Sequence, residues 1–158
     1  MKNNILLTGL FAFFAIFGLT LTNATPALAD APIYTSTFSN KAVKGYDTVT
    51  YFQGDGVPVK GSEEFQTQWR GATWFFSSAD NLALFTENPE KYAPQYGGYC
   101  AWATAHGSLA KGDPQVYTLK DGKVYLNYDK SIHKKWSPRR DELIPRADAE
   151  YPELVEIN

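Results

Sequence analysis

Between Val116 and Tyr128, apolar and polar residues alternate on either side of Asp121-Gly122. A two-residue Asp-Gly loop joins antiparallel strands because both residues tolerate positive φ. The resulting register sets Leu119 opposite Val124 and Tyr117 opposite Leu126. With Tyr128 these form one apolar face, leaving Thr118, Lys120, Lys123 and Asn127 on the other. The apolar face is expected to pack on helices. An earlier hairpin has Phe65, Thr67 and Trp69 alternating with polar residues, Arg70-Gly71 turning, and the aromatic run from Thr73 to Phe76 returning.

Helical periods separate these hairpins. Ser77 or Ser78 is placed to cap a helix carrying Leu82, Leu84 and Phe85, which stops before Asn88-Pro89. Pro89 opens a short turn that buries Tyr92. Two glycines precede the Ala-rich run after Cys100, which reads as a short helix ended by Gly107, with Cys100 in its first turn. Lys130 to Trp136 pairs Ile132 with Trp136 one turn apart. Ser137-Pro138 then reads as N-cap and first position of a last helix whose face is Leu143, Ala147 and Tyr151, with Pro145 predicting a kink or restart. Asp47 is a candidate N-cap for Thr48–Phe52, a segment that its β-branched residues would equally suit to a strand. Val57-Pro58-Val59 reads as an extended edge. The expected class is α+β, a small single domain with antiparallel β-hairpins packed against short helices.

The N-terminus reads differently. Met1-Lys2-Asn3-Asn4 is a positive n-region, Ile5 to Leu21 an almost unbroken apolar run, and Ala27-Leu28-Ala29 follows Pro26 as a small-x-small cleavage site. Residues 1–29 are therefore expected to be a signal peptide, with an uncleaved membrane anchor as the competing reading. A loosely held polar arm (30–43) and a domain (44–158) follow. The protein is expected to be exported, to a bacterial periplasm, with no membrane span after processing.

Formal net charge is −2, and no Lys/Arg run stands out, which argues against nucleic acid as a partner. The single cysteine, Cys100, cannot form a disulfide within the chain. A leftover thiol in an oxidising compartment is a reactive group, a ligand, an intermolecular partner, or a buried small hydrophobe. Near a helix N-terminus the thiolate would be favoured. Cys100, His106 and His133 form a Cys/His₂ list that suits copper or zinc. Against this, six helical residues rotate about 240°, which turns Cys100 and His106 to different faces unless the helix ends first. A solvated or C-capping His106 is the ordinary alternative. No Gly-x-Ser-x-Gly, phosphate loop or dinucleotide fingerprint is present.

Four motifs carry a family resemblance: Lys44-Gly45-Tyr46-Asp47 through Phe52, Trp74-Phe75-Phe76-Ser77-Ser78 through Asn81, Pro89 through Ala101 including Tyr96-Gly97-Gly98-Tyr99-Cys100, and Asp121 through Tyr128 with Trp136. Together they resemble the exported YHS-domain (seleno)proteins. The resemblance implies a chemically working chalcogen at Cys100. YHS domains more broadly are associated with copper and other heavy metals through a cysteine early in the domain, where this chain has Gly45-Tyr46-Asp47-Thr48-Val49 instead.

Three functions follow as expectations. The leading one is a soft transition-metal (copper-type) binding module, with Cys100 and His106 as ligands and Gly97, Gly98, Tyr96, Tyr99, Tyr46 and Asp47 shaping the site. The second is a one-cysteine redox enzyme or sensor in which Cys100 meets a small thiol or peroxide. The third is a non-catalytic interaction module. The sequence leans away from an enzyme and does not fix the oligomeric state.

Overall fold

A computed structural model describes residues 33–36 and 38–156. The leader read over residues 1–29 lies outside the described residues. In chain order the strands are β1 (Thr35–Ser36), β2 (Ser39–Ala42), β3 (Tyr46–Asp47), β4 (Val59–Lys60), β5 (Ser62–Trp69), β6 (Ala72–Phe76), β7 (Asp113–Lys120) and β8 (Lys123–Asn127). The α-helices are α1 (Ala79–Glu87), α2 (Pro89–Tyr92), α3 (Ala101–Thr104), α4 (Lys130–Trp136) and α5 (Arg140–Glu156). The fold is α+β: strands and short helices are interleaved, and the two long strand pairs, β5–β6 and β7–β8, are antiparallel.

Both hairpins form where their turn residues demand. Arg70 and Gly71 adopt φ of 48° and 75°, and Asp121 and Gly122 adopt 51° and 73°. These positive values match the right-handed twist of the flanking strands. Leu119 pairs with Val124 and Tyr117 with Leu126, as the alternation predicts. Ser78 caps α1 by accepting from the Asn81 N–H, and Asn88 caps α2 by accepting from the Lys91 N–H. Thr48–Phe52 is a 3-10 helix rather than a strand, because Asp47 caps it.

Four expectations need correction. The stretch read as a loose arm supplies β1 and β2, and β2 lies parallel to β6 in a sheet ordered β1-β2-β6-β5. Ser137 is no cap: its helical φ/ψ (−53°, −45°) joins α4 to α5 through a 3-10 turn. Of the kink or restart expected at Pro145, the restart does not occur, because α5 runs through it. The fourth concerns the β7–β8 hairpin, whose two faces are both covered along β8. Val124 and Leu126 join Val49, Tyr51, Trp74, Phe76 and Phe85 in a sheet-side core. Tyr125, on the opposite face, joins Tyr96, Ala101, Trp136, Leu143 and Ala147 in a helix-side core. Asn127 shares Tyr125's face by strand alternation and is fully buried, while Leu119 and Tyr128 of the supposed core face are 44% and 43% exposed. Hairpin periodicity reports the alternation but not which layers lie above and below it. Among the described residues, no helix is long and apolar enough to cross a membrane.

Candidate functional site

The residues singled out by the sequence fall into three separate settings. The first is Asp47, which is completely buried. Its Oδ1 accepts the Val49 N–H at 2.9 Å, capping the 3-10 helix. Its Oδ2 accepts from Ser77 N (2.8 Å), Ser77 Oγ (2.6 Å) and Asn81 Nδ2 (2.7 Å). Gln53 Nε2 in turn donates to Asn81 Oδ1 at 2.9 Å. A buried carboxylate persists when N–H and O–H donors replace its hydration. Here those donors come from the 3-10 helix, the end of β6 and the first turn of α1, so Asp47 is a fastener joining three elements. Its neighbour Tyr46 takes the Lys60 ammonium over its ring, 4.4 Å from the centroid.

The second setting is Cys100. It is the N-cap residue of α3, one position before the expected first turn, and its side chain makes no capping bond. The residue is 1% exposed. Its N–H donates to the Ala110 carbonyl at 2.8 Å, and Sγ accepts the Tyr128 N–H at 3.2 Å. The residue forms a parallel bridge to Leu126, filling the free edge of β8. His106, by contrast, is exposed; its Nδ1 lies 2.7 Å from the Trp102 carbonyl, and its ring stacks on Trp102 at 4.4 Å. That is the helix-terminal role the sequence offered as the ordinary one.

The third setting begins at Tyr96-Gly97-Gly98, three successive residues with φ of 55°, 59° and 84°. Glycine accepts this left-handed run at little cost, whereas tyrosine does so only under constraint. The constraint on Tyr96 is visible. Its hydroxyl donates to Asp148 Oδ1 at 2.9 Å, and its ring packs against Tyr125 and Tyr151. Burial first, and the Asp148 hydrogen bond and charge next, hold the Tyr96 hydroxyl well above the ordinary phenol range, so it remains a donor. The Gly97 carbonyl accepts the Tyr34 N–H at 2.9 Å, and Tyr34 meets Tyr99 edge-on at 5.3 Å.

Tyr96, Gly97 and Asp148 line an open cleft of about 370 Å³ between the β5–β6 turn, the α2–α3 connection and α5. Arg70 lies over the Trp69 ring, 4.6 Å away, and donates to Glu90 Oε1 at 3.1 Å. Tyr151 lines the cleft beside Tyr96. Burial, aided by Tyr99 and opposed by Arg70, pushes its hydroxyl up to about 12. Trp69, Arg70, Glu90, Asp148 and Tyr151 were not among the sequence candidates. They span more than eighty positions with no shared motif, and Tyr96-Gly97-Gly98 was the one local signal pointing here.

The YHS domain family model matches residues 53–96, so the chain carries a YHS domain, a class associated with metal binding. No curated protein and no solved structure matches the chain. The matched segment runs from Gln53 of the Asp47 network to the strained Tyr96, and includes neither Asp47, Cys100 nor His106. The donor set around Cys100 does not fit a resident metal. Among the described residues no three His, Cys, Asp or Glu side chains gather as a metal would require. The sulfur is enclosed, and His106 faces a backbone carbonyl.

Proposed function

We propose that the protein is an exported binding module whose ligand site is the cleft where the YHS segment ends against α5. The observation that carries this reading is Tyr96. A non-glycine residue held in left-handed backbone at a cleft wall, with its hydroxyl tied to a neighbouring carboxylate, is strain kept at a place of use. The volume falls in the range of small-molecule sites. Trp69, Tyr96 and Tyr151 offer aromatic walls, while Arg70 and Lys123 with Glu90 and Asp148 offer both signs of charge. The ligand class that suits this lining is a small organic molecule carrying both an amine and an acid. Export, and a periplasmic destination, rest on the leader-like residues 1–29.

The test is an amide chemical-shift titration with a panel of free zwitterionic amino acids. The expected result is saturable shifts confined to residues 69–70, 90–97 and 148–152, abolished by Asp148→Asn. Shifts scattered over the surface, or none across the panel, would overturn the reading.

A second reading keeps Cys100 as the working atom, as a copper ligand or a redox thiol. It is favoured by the Tyr128 N–H, which donates to Sγ at 3.2 Å and gives the sulfur a polar partner. It requires the sulfur to become accessible. Cu(I) titration of the native protein against Cys100→Ser separates the two, because binding in the cleft is indifferent to that substitution.

A further inference from the structure

The helix-side core contains polar groups that no described residue satisfies. Asn127 is completely buried, and neither its Oδ1 nor its Nδ2 has a hydrogen-bond partner among the described residues. Trp136 is equally buried, and its Nε1 is likewise unpartnered. The two face the same layer. Tyr125 precedes Asn127 by two residues on β8 and so shares its face, and the Tyr125 ring lies 5.7 Å from that of Trp136. Ala101, the first residue of α3, belongs to the same cluster. Its N-cap Cys100 leaves the α3 amides without a side-chain cap and lies beside Leu126, next to Asn127. One helical turn beyond Trp136, Arg140 Nε is a third unpartnered buried donor.

We infer a buried hydration site enclosed by β8, α3 and α4. One or more internal waters accept from Trp136 Nε1–H and Asn127 Nδ2–H and donate to Asn127 Oδ1. The chemistry selects the occupant. A cation would oppose the indole and amide N–H groups, and an anion would leave the Asn127 carbonyl oxygen without a donor. Water alone offers both hydrogens and lone pairs, and buried polar groups left over by the fold are ordinarily joined by it.

The test uses the purified protein and water-to-protein NOE spectroscopy. Trp136 Nε1–H and the Asn127 side-chain amide are expected to show cross-peaks with the sign of a long-lived bound water. In Asn127→Leu the indole cross-peak is expected to vanish. Absence of these peaks from the native protein would overturn the proposal. So would an indole peak undiminished in the folded variant. A crystal structure grown in bromide provides the second measurement, independent of whether the variant folds. A bromide anomalous peak at Asn127 would replace water with an anion, and a direct protein partner for Oδ1 and Nδ2 would remove the site. A spherical, non-anomalous density within hydrogen-bond distance of both side chains is the expected result.

Discussion

The β7–β8 hairpin separates two cores, and buried polar groups are met differently at the Asp47 network on one side and at Asn127 and Trp136 on the other. On the sheet side, beside Trp74, Phe76 and Phe85, the Asp47 carboxylate accepts four hydrogen bonds from its own neighbours. On the helix side, Asn127 Oδ1 and Nδ2 and Trp136 Nε1 have no such partners among the described residues, and beside the Asp47 network the Thr48 hydroxyl is likewise unpartnered. A charge excluded from water must be met in full by the protein, or its burial costs more than packing returns. A neutral amide is met as readily by an internal water. The Asp47 network therefore satisfies its own carboxylate, whereas Asn127 and Trp136 mark a place where solvent belongs to the structure. Cys100 lies at the seam, bridged to Leu126 of one core and leading directly into Ala101 of the other.

Removing the fastener is the strongest way to break this contrast. Asp47→Ala strands donors on Val49, Ser77 and Asn81, and is expected to cost on the order of 3–4 kcal/mol. Urea unfolding measures it, and a loss below about 1 kcal/mol would show that water replaces the carboxylate easily. Cys100→Ser exchanges a buried thiol for a more strongly hydrated hydroxyl and should cost about 1–3 kcal/mol. In the native protein the thiol should react with a disulfide reagent no faster than the chain opens. Rapid stoichiometric reaction would instead favour the working-sulfur reading.

Alkaline pH probes both sides together. Burial raises the hydroxyl pKa of Tyr51 in the sheet-side core and of Tyr96 and Tyr151 at the helix side. The folded state thus holds these protons more tightly than the unfolded chain, whose tyrosines ionise near ~10. Their contribution is complete below that pH and is lost as pH rises toward and through about 12 for Tyr151. Stability measured from pH 9 to 12 should fall, and Tyr151→Phe should fall less steeply. Identical slopes would show that Tyr151 does not feel its surroundings as described. The smallest expected effect is Asn127→Leu, which removes the amide together with its water. It should cost about 1 kcal/mol, because burying an apolar side chain offsets only part of the cost of leaving the Trp136 indole N–H without an acceptor.

Tyr96-Gly97-Gly98 illustrates how far the sequence carries. Gly97 and Gly98 tolerate left-handed backbone, but the partner that holds Tyr96 in it, Asp148, lies 52 residues away. Asp47 was legible as a cap because Val49 is two residues on, while its bonds to Ser77 and Asn81 reach across 30 and 34 residues. His106 was legible as a helix-terminal residue because its partner, Trp102, is four residues back.

The sequence by itself determined the two hairpins with their turns, the register of the second, a helix start at Ser77 or Ser78 and another at Pro89, the α+β class and the kinship with YHS domains. Each of these rests on steric and hydrogen-bonding preferences that act within a few residues. The tertiary structure alone decided that Cys100 is enclosed, that β8 is covered on both faces, and that five scattered side chains meet Tyr96 in a cleft. Those outcomes depend on which surfaces exclude water from one another once distant segments dock, and no local pattern encodes that.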